Sequence, residues 1–411
     1  MEQKRTGLSY VFTLAKEERG KLSLGMLLAV FSSALSFVPY LVVYQILLLI
    51  IKQEVTLPAM LGWAGIGIAA AVLQAILTSF AGICSHTAAF NTMHRIKVRV
   101  LEHMSKFNLG FFQEHAPGQI KTTLFDDVDR IETFLAHSTL ELAQAIVVPL
   151  MMFIFMLRLN WIMALIMLVP MILGIASLGY FNQNSSGYLL STLTKDLSNF
   201  ELVLTHTLPS IVKTLVMGCL ILVGTFFINW KLALAECVVI LIALPVLNWG
   251  NRLVEKYGTI KRDLTSKMIS IVLEYIKGMK VFKSANMTST HFTRMSDTLE
   301  DIRKTSVQAE VKTAAPTSMY SIIANFLLPF VLLIGSYLFL GGTIASELLV
   351  AFMLMSLALS ALLIAFEHSY NLLKEPVIGQ VAPSVSPPLP APVYAPFTIH
   401  SLAFCCSCTI S

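Results

Sequence analysis

Charged residues are scarce in this chain. Asp, Glu, Lys and Arg make up 13% of its 411 residues and hydrophobic residues 56%, whereas soluble domains carry roughly 25% charged residues. The mean hydropathy of +0.74 therefore excludes an ordinary soluble fold. The net charge is only +5, and a protein that binds nucleic acid would need a basic, soluble face. We therefore exclude a nucleic-acid partner.

Motifs of catalysis and metal binding are missing as well. The chain contains no HExxH, no GxSxG and no phosphate-binding GxxxxGK[ST] loop. Its six cysteines lie in apolar segments or in the last seven residues, where a lone CxxC is weak evidence for a metal. Asp126, Asp127 and Asp129 beside Arg130 fit a solvated helix face better than a metal site. We predict no enzyme, no metal site and no cofactor in this chain.

Long apolar runs are what the chain has instead. Segments of about 18 or more apolar residues are long enough to cross a bilayer as helices. Eight such segments are predicted, at roughly 22–51, 59–85, 138–158, 161–178, 207–228, 231–250, 317–340 and 344–366. The segment 161–178 is the shortest. Prolines inside these segments, such as Pro39 and Pro329, are expected to kink helices.

Positive charges are distributed unevenly between the predicted loops. With a cytoplasmic N-terminus, the outer loops hold only Lys52, Arg158 and Lys231 of the 29 Lys and Arg residues. The positive-inside rule expects this asymmetry. The sequence therefore predicts a multi-pass protein of the cytoplasmic (inner) membrane, with its N-terminus in the cytoplasm.

One block of sequence occurs twice. Residues 109–165 and 178–234 match without a gap at 15 of 57 positions, at a constant offset of 69. Each copy ends in two apolar segments joined at an Asn-Trp pair, at Asn160 and at Asn229. An internal repeat has to be interpreted before a fold is assigned. Here it indicates that half of a membrane module is present twice.

Two membrane helices are predicted to continue into water as amphipathic helices. Apolar residues recur at helical spacing along 85–106 and again between 255 and 312. The two stripes are Ile96, Val100, Met104 and Phe107, and Ile260, Leu264, Met268, Ile271 and Tyr275. A helix with few contacts is marginal alone, so we expect a partner docked at these tips.

These segments resemble the membrane domain of ABC transporters with the exporter fold. LGFFQEHAPGQIKTTLFDDVDRIETFL (109–135) is similar to the family's first intracellular loop, and YFNQNSSGYLLSTLTKDLSNF (180–200) resembles that loop equally well. EYIKGMKVFKS (274–284) resembles the stretch after the second intracellular loop, and WKLAL (230–234) matches a short outer turn. The resemblance covers roughly residues 8–373.

A narrower resemblance concerns one subfamily. VPYLVVYQI (38–46), HTAAF (86–90) and DVDRIETFLAH (127–137) are similar to heterodimeric half-transporters that import iron–siderophore complexes. This implies a small-molecule substrate, such as an iron–siderophore. The direction of transport does not follow from the residues.

The resemblance also implies residues that couple the membrane domain to an ATPase. The coupling candidates are Phe112, Gly118, Asp127, Phe181, Gly187, Asp196, Glu274 and Gly278. The glycines would permit the turn, and the aspartates would cap or pair near helix starts. An ordinary cytosolic turn with a capped helix is the alternative.

Polar residues inside apolar segments are candidates for a substrate cavity, because a polar group in a membrane is costly unless it faces the bundle interior. Glu236, Gln74 and Asn325 are the candidates. His86 and Lys213 lie near segment ends, where the side chain is expected to reach the interface.

We predict an all-α polytopic membrane helix bundle with about eight transmembrane helices and long cytoplasmic helical extensions. Residues 1–177 resemble the first half of one ABC membrane domain, and 178–373 the remainder of a second, as a fusion would leave them. Residues 374–411 form a Pro- and Cys-containing tail, predicted to be disordered, that resembles a frame-shifted read-through.

The resemblance implies transport by alternating access, in membrane lipid, as part of a homo- or heterodimer. ATP and Mg²⁺ would bind to an ATPase domain outside this chain, since GxxxxGK[ST] and any LSGGQ-like signature are missing. The alternative is a truncated or fused protein that does not transport and instead assembles with an intact half-transporter.

Overall fold

The computed structural model describes residues 15–107, 110–111, 120, 124–125, 128–168, 207–284 and 288–374. All regular secondary structure in this part of the chain is helical. The main helices are α1 (Arg19–Leu35), α2 (Val38–Ile51), α3 (Leu57–Lys106), α4 (Val128–Thr133), α5 (Thr139–Leu159), α6 (Leu208–Ile228), α7 (Trp230–Ser284), α8 (Thr288–Asn325), α9 (Leu327–Leu340) and α10 (Ser346–Lys374). The predicted all-α bundle is confirmed.

Seven helical stretches in the described residues are long and apolar enough to cross a membrane. They are Lys16–Ile51, Leu57–Met104, Phe134–Leu159, Leu208–Ile228, Trp230–Gly278, Thr293–Leu340 and Ser346–Asn371. These stretches match seven of the eight predicted segments. The eighth segment is helical over 161–168, and the rest of it lies outside the described residues.

The helices pack in two groups that share α8. In the first group, α1 packs along α3 and α5. In the second, α6, α7, α9 and α10 pack against one another. Helix α8 lies against both α3 and α7, and α9 also contacts α3. The α8–α9 stretch therefore joins the two groups into one bundle.

The longest helices extend well beyond one membrane thickness. A bilayer core of roughly 30 Å needs only about 20 helical residues, whereas α3 has 50 residues and α7 has 55. The polar ends of α3, α7 and α8 pack together around an apolar core that we call the extension cluster. Its members include Leu101, Met104, Met268, Tyr275 and Leu299. The predicted stripes face this cluster, apart from Ile96, which packs in a neighbouring one, and Ile260, which is 39% exposed.

The extensions are also joined by ion pairs. Arg95 of α3 pairs with Glu17 and Glu18 of the short turn Lys16–Glu18 that precedes α1. Lys97 Nζ lies 2.7 Å from Asp129 Oδ1 of α4. The long helices therefore stabilise one another at their polar ends, and a partner docked at the tips stays a prediction.

A second apolar core lies at the opposite end of the bundle. We call it the membrane cluster, and its members include Val42 of α2, Met60 of α3, Leu232 of α7, Val331 of α9 and Phe352 of α10. All five are at most 1% exposed. Five helices from both halves of the chain therefore meet in this cluster.

The two copies of the repeat end in the same helix–turn–helix geometry. Asn160 Oδ1 accepts hydrogen bonds from the backbone N–H groups two and three residues later, at 2.9 and 3.4 Å. Asn229 Oδ1 accepts the equivalent bonds at 3.1 and 3.3 Å. Each asparagine thus caps the helix that follows it. The predicted hinge at each Asn-Trp pair is confirmed.

Candidate functional site

A polar cavity of about 240 Å³ lies inside the bundle, where α1, α3, α5, α8 and α10 approach one another. Serine and threonine hydroxyls form much of its lining, among them those of Ser32, Ser36, Thr78, Ser79 and Ser318. Gln74, Gln144 and Asn325 add three amides. The cavity lies within the apolar spans and is partly open, since Thr78, Gln144 and Thr317 of its lining are exposed while Ser32 and Ser33 are buried.

Two of the helices around the cavity are interrupted beside it. The chain turns at 36–37 between α1 and α2, and at Phe326 between α8 and α9. Pro39 and Pro329 follow these turns and have no N–H to donate to the carbonyl four residues earlier. Ser36 and Asn325 flank the two breaks and both line the cavity. Irregular backbone at membrane depth is tolerated where it is buried in protein or lines a cavity.

Hydrogen bonds between side chains hold the cavity walls together. The hydroxyls of Ser32 on α1 and Thr78 on α3 lie 2.5 Å apart. Ser79 on α3 bonds to Ser318 on α8. These contacts connect three helices from both halves of the chain across the cavity.

The cavity amides are only partly bonded. Asn325 Nδ2 donates to its own helix, and Asn325 Oδ1 accepts from Ser360 Oγ of α10 at 3.2 Å. The side chains of Gln74 and Gln144 make no hydrogen bond to any described residue. Gln74 is half-buried and Gln144 is exposed, so both amides are accessible to a ligand or to water. The cavity therefore offers hydrogen-bonding groups that a ligand or water could satisfy.

The structure brings together two of the three predicted cavity residues. Gln74 and Asn325 line the same cavity from α3 and α8. Glu236 lies elsewhere, on α7 two residues from Leu234, and is fully buried. Its carboxyl oxygens make no hydrogen bond of standard geometry in the described part of the chain, although the Thr225 hydroxyl lies close enough to interact with them. Glu236 thus does not line this cavity.

Lys213 and His86, which were both predicted to reach the membrane interface, have different surroundings. Lys213 is exposed near the start of α6, as expected of a side chain that reaches the interface. His86 is instead largely enclosed, with Nδ1 3.8 Å from Glu132 Oε1 and Nε2 3.7 Å from Glu310 Oε1. Its ring also lies 4.7 Å from that of His137. The interpretation of His86 as a side chain that reaches water is therefore wrong.

Only part of the predicted coupling region is described. Glu274 lies on the α7 extension, 56% exposed, with its carboxylate 3.7 Å from Arg294 Nη1 of α8. The helix continues through Gly278 without a break. The other coupling candidates lie outside the described residues: Phe112, Gly118, Asp127, Phe181, Gly187 and Asp196.

Sequence reasoning missed two buried ionisable residues, Lys97 and Glu367, which are 5% and 6% exposed. Lys97 on α3 is 5% exposed and pairs with Asp129, and its ammonium lies 5.1 Å from the centre of the Phe125 ring. The side chain of Asp129 is 49% exposed, as a solvated face predicts, and it also pairs with this buried lysine. The sequence does contain a signal for this burial, because Lys97 lies among the apolar positions of the α3 extension.

The extension carries strong charge pairs, in contrast to the cavity. Glu300 lies on the α8 extension, outside the apolar stretch 317–340, and accepts a hydrogen bond from Arg303 Nε at 2.8 Å. This bond holds the pKa of Glu300 at about 2, below its usual value of 4.5. The close ion pairs Arg95–Glu18, Lys97–Asp129 and Arg303–Glu300 thus lie on the polar extensions of the helices.

Apolar spans, long polar extensions and a polar cavity inside the bundle define a multi-pass helical membrane protein. The family model for the ABC transporter transmembrane region matches this chain twice, over residues 22–177 and 173–363. The chain belongs to this family and contains the membrane domain of an ABC transporter. The resemblance found in the sequence is confirmed.

The chain is also similar to three bacterial flippases. It is 27% identical over 163 residues to the ATP-dependent lipid A-core flippase of Vibrio parahaemolyticus serotype O3:K6. It is 29% identical over 163 residues to the flippases of the same name from Vibrio vulnificus strains YJ016 and CMCP6. Each alignment covers 38% of this chain and 27% of the relative. The chain therefore spans about a quarter of the length of these relatives.

Proposed function

We propose that this chain is the permease part of an ATP-driven ABC transporter and that its substrate binds in the polar cavity. The observation that carries this proposal is the pair of glutamines, Gln74 and Gln144, which line a cavity at membrane depth without a partner among the described residues. Membership of the transporter family supports the same conclusion.

The relatives favour a lipid-like substrate. They are named as flippases of lipid A-core, and none of the three is named for siderophore import. The siderophore substrate expected from the sequence thus has no support among them. We propose instead an amphipathic small molecule with an apolar tail, moved by alternating access.

ATP hydrolysis would be supplied by a domain outside these 411 residues. ATP and Mg²⁺ would bind there, and the two copies of the coupling turn, near Gly118 and Gly187, would receive its motion. In this arrangement the extensions and the N-terminus face the cytoplasm, and the bundle lies in the inner membrane.

A second candidate is a subunit that assembles without transporting. The repeat favours it, because residues 109–165 recur at 178–234 while the long α7–α8 pair is present once. A chain with this arrangement of duplicated and single elements could pair with an intact half-transporter and block its transport cycle.

ATP-dependent lipid movement tests the two candidates. The full chain, purified with its native partner subunits, would be reconstituted in liposomes that contain either a fluorescent phospholipid or a fluorescent neutral glycolipid. We expect translocation that needs ATP and is lost in G118P or G187P. The control is G65A, because a Cβ at Gly65 meets nothing within 4 Å.

The outcome separates the proposals. Loss in G187P but not in G118P would show that the second copy docks the ATPase. If an intact half-transporter co-purifies and translocation is absent with the wild-type chain, the assembly role replaces transport.

A further inference from the structure

The lining of the cavity carries no ionisable side chain in the described part of the chain. Its polar residues are all Ser, Thr, Asn or Gln, supplemented by a few apolar residues such as Val148 and Ile364. A charge buried in a low-dielectric site is costly unless a counter-charge compensates it. The described lining offers no such counter-charge.

Six of the hydroxyls that line the cavity already donate to backbone carbonyls: those of Ser32, Ser33, Ser36, Thr78, Ser79 and Ser318. Ser33 Oγ donates to Ala29 O at 2.7 Å, Ser36 Oγ to Ser33 O at 2.7 Å, and Thr78 Oγ1 to Gln74 O at 2.9 Å. A hydroxyl has one proton to donate but two lone pairs that accept. These side chains therefore present mainly acceptors to the interior of the cavity.

The two free glutamine amides complete the pattern. Each can accept at its oxygen and donate from its nitrogen, and neither is occupied by a described residue. A ligand that matches this lining has several neutral donors, such as hydroxyl or amide N–H groups. A phosphate has acceptor oxygens and needs Arg, Lys or a similar donor set.

We infer that the polar group recognised in this cavity is uncharged and rich in hydroxyl or amide donors, as in the sugar headgroup of a neutral glycolipid. This inference rests on the proposed function, because it assigns a substrate class to the same cavity. The inference distinguishes this chain from transporters that bind a substrate through the phosphate groups of that substrate.

Protection of a cavity cysteine tests this inference. The six native cysteines would be replaced by alanine in the full chain, and S321C would place a reporter in the lining. In lipid nanodiscs, the rate of labelling by N-ethylmaleimide would be followed against three probes with the same tail: dodecyl maltoside, dodecyl phosphate and dodecylammonium.

We expect dodecyl maltoside to protect the reporter at roughly tenfold lower concentration than either charged probe. Q74L should raise the half-protecting concentration of dodecyl maltoside by about threefold to tenfold, the usual effect of one lost hydrogen bond. Q45L is the matched control, since Gln45 lies in α2 and does not line the cavity. It should leave protection unchanged.

The other outcomes overturn different claims. If no probe protects the reporter, the cavity is not a ligand site and the proposed binding site fails as well. If a charged probe protects best and Q74L weakens it, the cavity binds substrate but the inferred class is wrong. Equal protection by all three probes, insensitive to Q74L, would mean that they act through the lipid, which also overturns the inference.

Discussion

The two Asn-Trp turns share a local structure but differ in their surroundings. The first leads into the helical residues 161–168 at the edge of the bundle, where Trp161 and Met163 are 64% and 58% exposed. The second leads into α7, where Leu232, the equivalent of Met163, is fully buried. The asparagine therefore determines the turn, whereas neighbouring helices determine what the following residues contact.

Close packing around the second turn explains the difference. Leu232 belongs to the membrane cluster, which includes residues of α2, α3, α9 and α10. A Cβ on Gly335 of α9 would lie 2.5 Å from Leu349 Cδ1 and 3.8 Å from Leu232 Cδ2. Only a glycine fits there without a shift of Leu349. The second copy of the repeat is thus built into the bundle core.

The largest expected effect on stability comes from Leu232, the buried member of the equivalent pair Met163 and Leu232. L232A should lower the free energy of unfolding by about 2–4 kcal/mol, because it leaves a cavity in a packed cluster. The apparent melting temperature in detergent micelles measures this loss. M163A is the matched control and should change it little. Equal losses from both variants would show that the first copy is also packed in a core.

A substitution at Glu236 is expected to change stability in the opposite direction. When the offset of 69 is continued past the end of the repeat, Glu236 corresponds to Met167. Its buried carboxyl oxygens make no hydrogen bond of standard geometry to a described residue. E236M should therefore stabilise the protein by about 1–2 kcal/mol, because it removes a buried polar group that is not bonded.

The melting temperature of E236M, with M167L as the control, tests this gain. A loss of stability would mean that Glu236 has a partner outside the described residues. Unchanged lipid translocation by E236M would agree with its position away from the cavity.

Features that depend on local sequence could be predicted from it. The apolar spans, the Asn160 and Asn229 turns and most of both amphipathic stripes follow from hydrophobic length, capping chemistry and helical spacing. Each of these is decided within a few turns of one helix. The structure agrees with them for that reason.

Features that depend on which helices meet could not be predicted. Gln74, Asn325 and Glu236 look alike in the sequence, as polar residues in apolar runs, yet only the first two line the cavity. The choice depends on the packing of α3 against α8, where Ser79 and Ser318 meet although they lie 239 residues apart in the chain. The pairing of Lys97 with Asp129 depends on tertiary packing in the same way.

The smallest expected effect concerns the caps themselves. N160A and N229A each remove a side-chain acceptor from two backbone N–H groups, a change that costs about 1 kcal/mol at a helix start. If the turns are equivalent locally, hydrogen exchange at the two capped amides should accelerate in both variants. The melting temperature should fall only in N229A, because only the second turn anchors a helix in the membrane cluster. A fall of the same size in N160A would break the comparison, since it would make the first turn as much a part of the core as the second.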